Sequence, residues 1–393
     1  MIQFNDTKIA FAWRSNNELV KAKVLFQTIA WPALVKVGSA MLNLALAIRF
    51  PISWIVKPTI FKHFVGGENL AESNKTAQQL LQYNVKSVLD YSVEGADDEA
   101  IQEDAFNEIL RSVQNAKGNA SIAFTVFKPT GLISTIILEK VSNGEELSQH
   151  ESAQFDLFKQ RVKTLCEQSV SSNTPILVDA EDSWYQKAID DVVHQMMEEF
   201  NKEKVFVFNT LQMYRTDRLD FFKAAHKDAL GKGYLLGVKF VRGAYMEKER
   251  ARAQRFGYPS PIHPNKEETD KAFDDAQHYA FENLDTISIF CGTHNEQSVQ
   301  KLCGMMQSKG IPNNDARITF SQLLGMSDNI SFMLAHKGYN VAKYIPYGPV
   351  RKVMPYLIRR AEENTSVKGQ TGRELSLIRT ELKRRKHQHK LKH

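Results

Sequence analysis

The residues able to do chemistry in this chain stand at the ends of short apolar runs. Asp90-Tyr91-Ser92-Val93-Glu94 closes the first run, Phe127-Lys128-Pro129-Thr130 the second and Val178-Asp179-Ala180-Glu181-Asp182 the third. Asn209-Thr210-Leu211-Gln212-Met213-Tyr214 ends the fourth, Lys239-Phe240-Val241-Arg242-Gly243-Ala244-Tyr245 the fifth and Gly292-Thr293-His294-Asn295 the sixth. The seventh closes on Gln322-Leu323-Leu324-Gly325 and the eighth on Lys343-Tyr344, followed by Tyr356-Leu357-Ile358-Arg359-Arg360-Ala361-Glu362-Glu363-Asn364. A lone Lys or Asp at such an end is ordinarily solvated or caps a helix, so the signal is the convergence of many ends. Lys128, Lys239, Arg242, Arg359 and Arg360 stand against Glu94, Asp179, Glu181 and Glu363. Gathered in one mouth, they suit a small carboxylate, a phosphate-bearing cofactor, or both. The Arg359-Arg360 pair suits bidentate grip of a carboxylate. The plainer alternative is an exposed basic helix turn with Glu362 and Glu363 as i,i+3 partners. His294 could serve as a base, a metal ligand or a phosphate contact. No second His stands at a strand end, so no metal is expected.

The elements that must position these residues follow from the rhythm of the chain. The apolar runs are Ser87–Glu94, Ser121–Lys128, Pro175–Glu181, Val205–Gln212, Leu235–Tyr245, Thr286–Asn295, Arg317–Gly325 and Val341–Tyr347. They are continuous rather than alternating, as in strands buried on both faces. Between them lie segments of helical period, among them Asp98–Val113, Glu151–Ser169, Tyr185–Asn201, Thr216–Leu230 and Lys266–Asn283. Strict alternation implies right-handed crossovers and a parallel sheet. Eight units spanning residues 87–364 match the size of a (β/α)8 barrel, whose functional residues sit at the C-terminal strand ends. An open doubly wound sheet is the competing architecture, but no GxGxxG follows any strand.

Composition bounds the rest. In 393 residues, 42% hydrophobic and 24% charged is an ordinary globular balance. Cys166, Cys291 and Cys303 are far apart, which argues against a disulfide framework and a structural zinc site. No basic region followed by an apolar core opens the chain, so no signal peptide is expected. The net charge of +6 is concentrated in Lys383, Arg384, Arg385, Lys386, Lys390 and Lys392, opposed by Glu381, which leaves a near-neutral body. That is not a nucleic-acid-binding footprint. The tail reads as a solvated, frayed helix end or as a weak attraction for anionic lipid. Residues 33–48 are apolar but carry Lys36 and Asn43 and fall short of the roughly 20 residues that a membrane span needs. With Trp31, Trp54, Phe61 and Phe64 nearby, this stretch packs on the main domain or lies on a membrane surface. The division expected is an N-terminal helical arm over 1–80, a barrel over 81–370 and a basic C-terminal tail over 371–393.

The combination resembles the proline dehydrogenase family, the flavoprotein barrel found alone or within proline-utilisation proteins. The matching pieces are Phe127-Lys128-Pro129-Thr130, Val178-Asp179-Ala180-Glu181, Phe208-Asn209-Thr210-Leu211-Gln212-Met213-Tyr214, Val241-Arg242-Gly243-Ala244-Tyr245, Gly292-Thr293-His294-Asn295 and Tyr356-Leu357-Ile358-Arg359-Arg360-Ala361-Glu362-Glu363-Asn364. They occur in the family's order across about residues 87–366, and the last segment is the most specific.

The resemblance implies an α/β fold, a distorted (β/α)8 TIM-like barrel with an N-terminal helical extension. It implies FAD-dependent oxidation of L-proline to Δ1-pyrroline-5-carboxylate, with hydride passing from C5 to flavin N5 and electrons to a membrane quinone. Carried over, Arg359 and Arg360 clamp the proline carboxylate with Lys128 as third cation. Tyr344 and Tyr356 pack around the ring, Leu323 forms an apolar wall, and Asp179 sits near the amine. Glu94 pairs with Arg359, and Glu363 belongs to the substrate set. Gln212, Lys239, Val241, Gly243, Ala244, Thr293, His294 and Asn295 hold the FAD, and Tyr245 lines the flavin. Lys239 stands where many bacterial members carry Arg, and Lys cannot reproduce a planar fork. The Tyr344 phenol should crowd a 4-hydroxyl, so proline is expected over hydroxyproline. The implied setting is a bacterial cytoplasm with peripheral inner-membrane contact, or the mitochondrial matrix side in a eukaryote. A monofunctional protein would hand its product to a separate pyrroline-5-carboxylate dehydrogenase. The alternatives are a hydroxyproline dehydrogenase, a Schiff-base aldolase barrel using Lys128, and a silent ligand sensor.

Overall fold

The computed structural model describes residues 2–48, 50–92, 97–366 and 370–391, with backbone alone for 43, 46, 47, 362–366, 370 and 371. Eight strands, all parallel, close into a barrel: β1 (Lys86–Tyr91), β2 (Ile122–Phe127), β3 (Ile176–Val178), β4 (Val207–Gln212), β5 (Leu236–Val241), β6 (Ile287–Gly292), β7 (Ile318–Leu323) and β8 (Val341–Tyr347). Closure is by β8 against β1, with Val88 paired to Tyr344 and Tyr91 to Tyr347.

The strands are buried on both faces because two cores meet there. Inside, Val88, Phe124, Val126, Leu177, Phe208, Phe290 and Ala342 fill the barrel, with Phe124 edge-on to Phe208 and Phe290 at 5.3 and 4.9 Å. Outside, residues such as Val178, Leu211, Phe240 and Ile289 pack under the helices. All eight expected strands form, but most stop short of the expected polar ends. β3 ends at Val178, which releases Asp179, Glu181 and Asp182 from the ladder to bond across the mouth.

The five expected helices form, and those at Glu99–Asn115, Gln149–Ser171 and Lys266–Glu282 start on a side-chain cap. Asp98 accepts from Ala100 N at 2.8 Å to open helix Glu99–Asn115. Ser148 and Glu151 make a reciprocal capping box for Gln149–Ser171.

The arm opens with the short helix Thr7–Ala10, continues through helices Asn16–Ile29 and Pro32–Ala47, and helix Leu70–Leu81 leads into β1. A second apolar core lies between the arm and the C-terminal helices, joining Phe26, Ile52, Val56 and Phe64 to Val353, Met354, Leu357 and Ile378. The helix Pro32–Ala47 turns Leu34, Val37, Met41 and Leu44 outward, each more than half exposed, as are Ile48, Trp31 and Trp54. Among the described residues no single helix is long and apolar enough to cross a membrane.

The basic tail is a docked helix, Gln370–Lys390, rather than a frayed end. Glu381 is fully buried and takes both Arg384 and Arg385 at 2.7 Å. Arg385 also donates to the carbonyls of Phe11 (2.8 Å) and Arg14 (2.9 Å), which ties the tail to the arm.

Candidate active site at the barrel mouth

Four strand ends meet at one carboxylate. Asp179, just past β3, accepts from Lys239 Nζ of β5 at 2.6 Å through Oδ1. Its Oδ2 accepts from Tyr344 OH of β8 at 2.6 Å and from Lys128 Nζ, after β2, at 3.1 Å. Burial opposes the charge on Asp179, but Lys239 and Lys128 outweigh it and hold the carboxyl well below its ordinary range. Lys239 Nζ also lies 4.5 Å from the Tyr344 ring centroid, a cation–π contact.

Asp90, in β1, completes the group. Its Oδ2 accepts from Lys128 Nζ at 2.8 Å, and burial, reinforced by Asp179, raises its carboxyl. Its Oδ1 is a buried acceptor with no donor among the described residues. The sequence reading placed Asp90 at a strand end but not in the site. In the fold it pairs in register with Pro346 of β8, a placement that no local sequence signal gives.

A second ring of contacts fixes the strand ends. Glu181 accepts from Thr130 N at 2.9 Å and Thr130 OH at 2.5 Å, tying the β2 and β3 ends. Gln212 donates to Glu181 O at 2.6 Å and accepts from Ala244 N at 3.4 Å, bridging to β5. Arg242 was expected among the cations facing the ligand. It binds Asp270 (2.6 Å), Thr293 Oγ1 (2.7 Å) and Ser298 Oγ (3.0 Å), a strut between the ends of β5 and β6. Asn295 caps helix Glu296–Ser308 by accepting from Gln297 N at 2.9 Å. Val241 O accepts from Met213 N at 2.8 Å. Gly243 has φ +129°, and a Cβ there would stand 2.5 Å from the Tyr214 ring, so the Tyr214 ring requires glycine there.

The helix Val350–Ser366 follows β8 and carries the expected carboxylate clamp. Val353, Met354 and Leu357 anchor its apolar side in the second core. The Arg359 guanidinium lies 5.7 Å from the Tyr245 ring and that of Arg360, itself buried, 5.4 Å from the Tyr356 ring. Leu323, the last residue of β7, touches both the barrel interior and the second core. Glu94 lies outside the described residues, and Glu363 is described by its backbone alone.

The loop after β7 is held from three sides. Gly325, at φ +79°, gives its carbonyl to His63 Nε2 of the arm at 2.8 Å. Lys343, fully buried in β8, donates to Met326 O at 2.5 Å and pairs with Asp328 at 2.9 Å. Ser327 is left-handed, φ +50° and ψ +42°, an arrangement costing a non-glycine residue about 1–3 kcal/mol unless its surroundings enforce it. Its N–H donates to the buried Glu374 of the tail helix, and its Oγ pairs with His294 Nδ1 at 2.9 Å. Burial, with Lys343, Arg360 and Arg242 nearby, lowers the His294 imidazole to about 3. Burial also pushes all three thiols up, Cys303 to about 12, which disfavours thiolate chemistry.

The fold and this mouth define an (β/α)8 barrel enzyme that gathers cations, a phenol and paired carboxylates around a small site. The family model for proline dehydrogenase matches residues 73–373. The carbapenem antibiotics biosynthesis protein CarD of Pectobacterium carotovorum is 35% identical over 82% of this chain and 83% of its own. The hydroxyproline dehydrogenase of Xenopus laevis is 30% identical over 98% of this chain and 90% of its own. Among solved structures, proline utilization A from Bdellovibrio bacteriovorus, inactivated by N-propargylglycine, superposes with a TM-score of 0.73 at 20% identity. That match covers 95% of this chain but only 38% of the longer protein. The chain belongs to the proline dehydrogenase family and is an oxidoreductase of that family.

Proposed function

We propose that the barrel mouth oxidises L-proline to Δ1-pyrroline-5-carboxylate with FAD. The observation that carries this reading is the Asp179–Lys128–Lys239–Tyr344 cluster, lying in a mouth whose following helix brings Arg359 and Arg360. The residues present fit a flavin dinucleotide and a small amino acid. Asp90 Oδ1 is an unused buried acceptor suited to an N–H donor. His294, next to Thr293, is held neutral by burial and by Lys343, Arg360 and Arg242 nearby, which suits a ring that donates or accepts a hydrogen bond. Bound there, FAD would supply the two-electron acceptor, taking hydride from C5 of proline at flavin N5.

The chain's own part is binding and electrostatics. Arg359 and Arg360 hold the substrate carboxylate, with Lys128 as a third cation. Surrounding positive charge disfavours a protonated substrate amine, which must be neutral as iminium character develops. Asp179 fixes Lys128, Lys239 and Tyr344 in place, so their positions are set before substrate arrives. Gln212, Lys239, Val241, Gly243, Ala244, Tyr245, Thr293, His294 and Asn295 form the cofactor set, with Gln212 and Asn295 shaping loops as well.

Hydroxyproline is the second reading, favoured by the Xenopus relative. Against it stands Tyr344, buried and tied to Asp179 at 2.6 Å, so its phenol is not free to swing away from a 4-hydroxyl. An aldolase would need Lys128 Nζ as a free amine, whereas it donates to two carboxylates. Electrons would pass to a membrane quinone, with peripheral contact through the exposed apolar face of the arm. The setting would be an inner-membrane surface, bacterial or on the matrix side. A separate pyrroline-5-carboxylate dehydrogenase would take the product. The arm over 1–80 and the tail over 371–393 would serve as accessories to the barrel over 81–370.

The test is an anaerobic absorbance spectrum before and after substrate. Oxidised flavin bands that bleach with L-proline, and not with D-proline or trans-4-hydroxy-L-proline, support the reading. Equal bleaching by hydroxyproline would replace proline as the preferred substrate. A colourless protein that stays inert when FAD is supplied would overturn the flavin reading.

A further inference from the structure

The tail helix reaches the mouth through a chain of three groups. Glu374 is buried, and its carboxylate accepts the Ser327 N–H. Ser327 sits in a left-handed conformation that an L-residue keeps only when its surroundings hold it. That conformation delivers Ser327 Oγ to His294 Nδ1 at 2.9 Å. A second strand of the same linkage runs from Ser327 O, which accepts from Ser331 N at 3.1 Å, to Ser331 Oγ, which donates to Gln322 Oε1 at 2.7 Å. Gln322 Nε2 in turn donates to Thr293 O at 3.0 Å. His294 and Thr293 are thus held by a helix that starts at Gln370, well outside the eight-strand barrel.

We infer that Glu374 is a positioning residue for cofactor binding: through Ser327 it fixes the rotation of the His294 ring at the barrel mouth. The role asked of Glu374 is to accept a hydrogen bond, which an amide oxygen can also do. An unanchored Ser327 is free to return to a right-handed or extended backbone, and its hydroxyl then leaves the imidazole. The inference rests on the reading that the mouth binds FAD. It therefore needs one readout with flavin and one without.

The experiment compares the wild type with Glu374→Ala, Glu374→Gln and Ser327→Ala. Apo-protein is titrated with FAD by flavin fluorescence, and the ring 15N signals of His294 are recorded without flavin. Loss of one anchoring hydrogen bond predicts FAD binding weakened about fivefold to tenfold in E374A and S327A. E374Q should stay near the wild type, and an E374A/S327A double variant should be no weaker than either single one. The His294 ring signals should move in E374A and S327A and stay put in E374Q. Should E374A fold poorly, S327A removes only a hydroxyl and still tests the link from Ser327 to His294 on which the role of Glu374 depends. Unchanged ring signals and unchanged FAD affinity in S327A would overturn the inference. A wild type that fails to bind FAD would overturn the flavin reading instead, and the ring signals would still decide the role of Glu374.

Discussion

Asp179 is the hinge of the site's electrostatics, because it alone among the described residues neutralises Lys239 and it shares Lys128 with Asp90. Replacing it by Asn leaves Lys239 buried without its counter-charge. Removing one partner of a buried pair is expected to cost about 3 kcal/mol. Asp179→Asn should therefore lower the melting temperature by several degrees and abolish proline-dependent flavin bleaching. Retained turnover would remove Asp179 from the site. A pH effect follows from two buried imidazoles, His63 and His294, each lowered by burial from an ordinary 6.5 to about 3. Between those values the unfolded chain binds more protons than the fold, so stability rises with pH across that window, by up to about 1.4 kcal/mol per unit per group. Glu374 works the other way, raised by burial and by Asp328 from 4.5 to about 7. Between 4.5 and 7 the fold binds the extra proton, so this group's contribution falls as pH rises. Melting curves against pH should show Glu374→Gln gaining on the wild type through that window, and His63→Gln flattening the acid limb.

The helix Val350–Ser366 carries the largest testable claim among the elements. With its apolar side in the second core and its arginines beside Tyr245 and Tyr356, it can present both guanidinium groups to one carboxylate. Arg359→Met and Arg360→Met should each raise the proline KM roughly tenfold to a hundredfold, the loss of a charge-assisted hydrogen bond. Steady-state kinetics with a soluble dye check this, and an unchanged KM would move the carboxylate elsewhere. The strands were legible in the sequence because both faces are buried, so each reads as an apolar run whose polar end marks the mouth. What was not legible is which polar end faces a ligand and which holds a neighbour. Arg242 and Asn295 have residue types that fit either task. The partners Asp270, Thr293 and Gln297, brought close by folding, give each a structural use that its residue type alone did not announce. Gly243 was expected at a close cofactor approach, and the Tyr214 ring gives it a constraint within the protein. Asp90 went unassigned because nothing local distinguishes a strand-end Asp that meets a lysine from one that meets water.

At the scale of the whole molecule the arm presents an outer face that a wholly water-surrounded protein would make polar. Leu34, Val37, Met41 and Leu44 recur at three- and four-residue spacing, all exposed, between the exposed indoles of Trp31 and Trp54. On the reading proposed above, such a helix would lie in a membrane interface with its apolar side in the acyl boundary. Leu34→Glu with Met41→Glu should abolish co-sedimentation with anionic liposomes and leave dye-coupled turnover unchanged. Undiminished co-sedimentation would separate this face from lipid. In the tail, Arg384 and Arg385 are occupied by Glu381, which leaves Lys383, Lys386 and Lys390 exposed for any lipid contact.

The arm's docking partners have a consequence for how the chain is made. Phe26 and Val56 are buried against Val353 and Leu357, and Phe11 O waits for Arg385. A ribosome adds about 5–20 residues per second, so the arm emerges on the order of 20–60 s before its partners. The barrel cannot close sooner either, since β1 pairs with β8. Throughout that interval the apolar helix Pro32–Ala47 is available to a chaperone or a bilayer before it has any fold of its own to join.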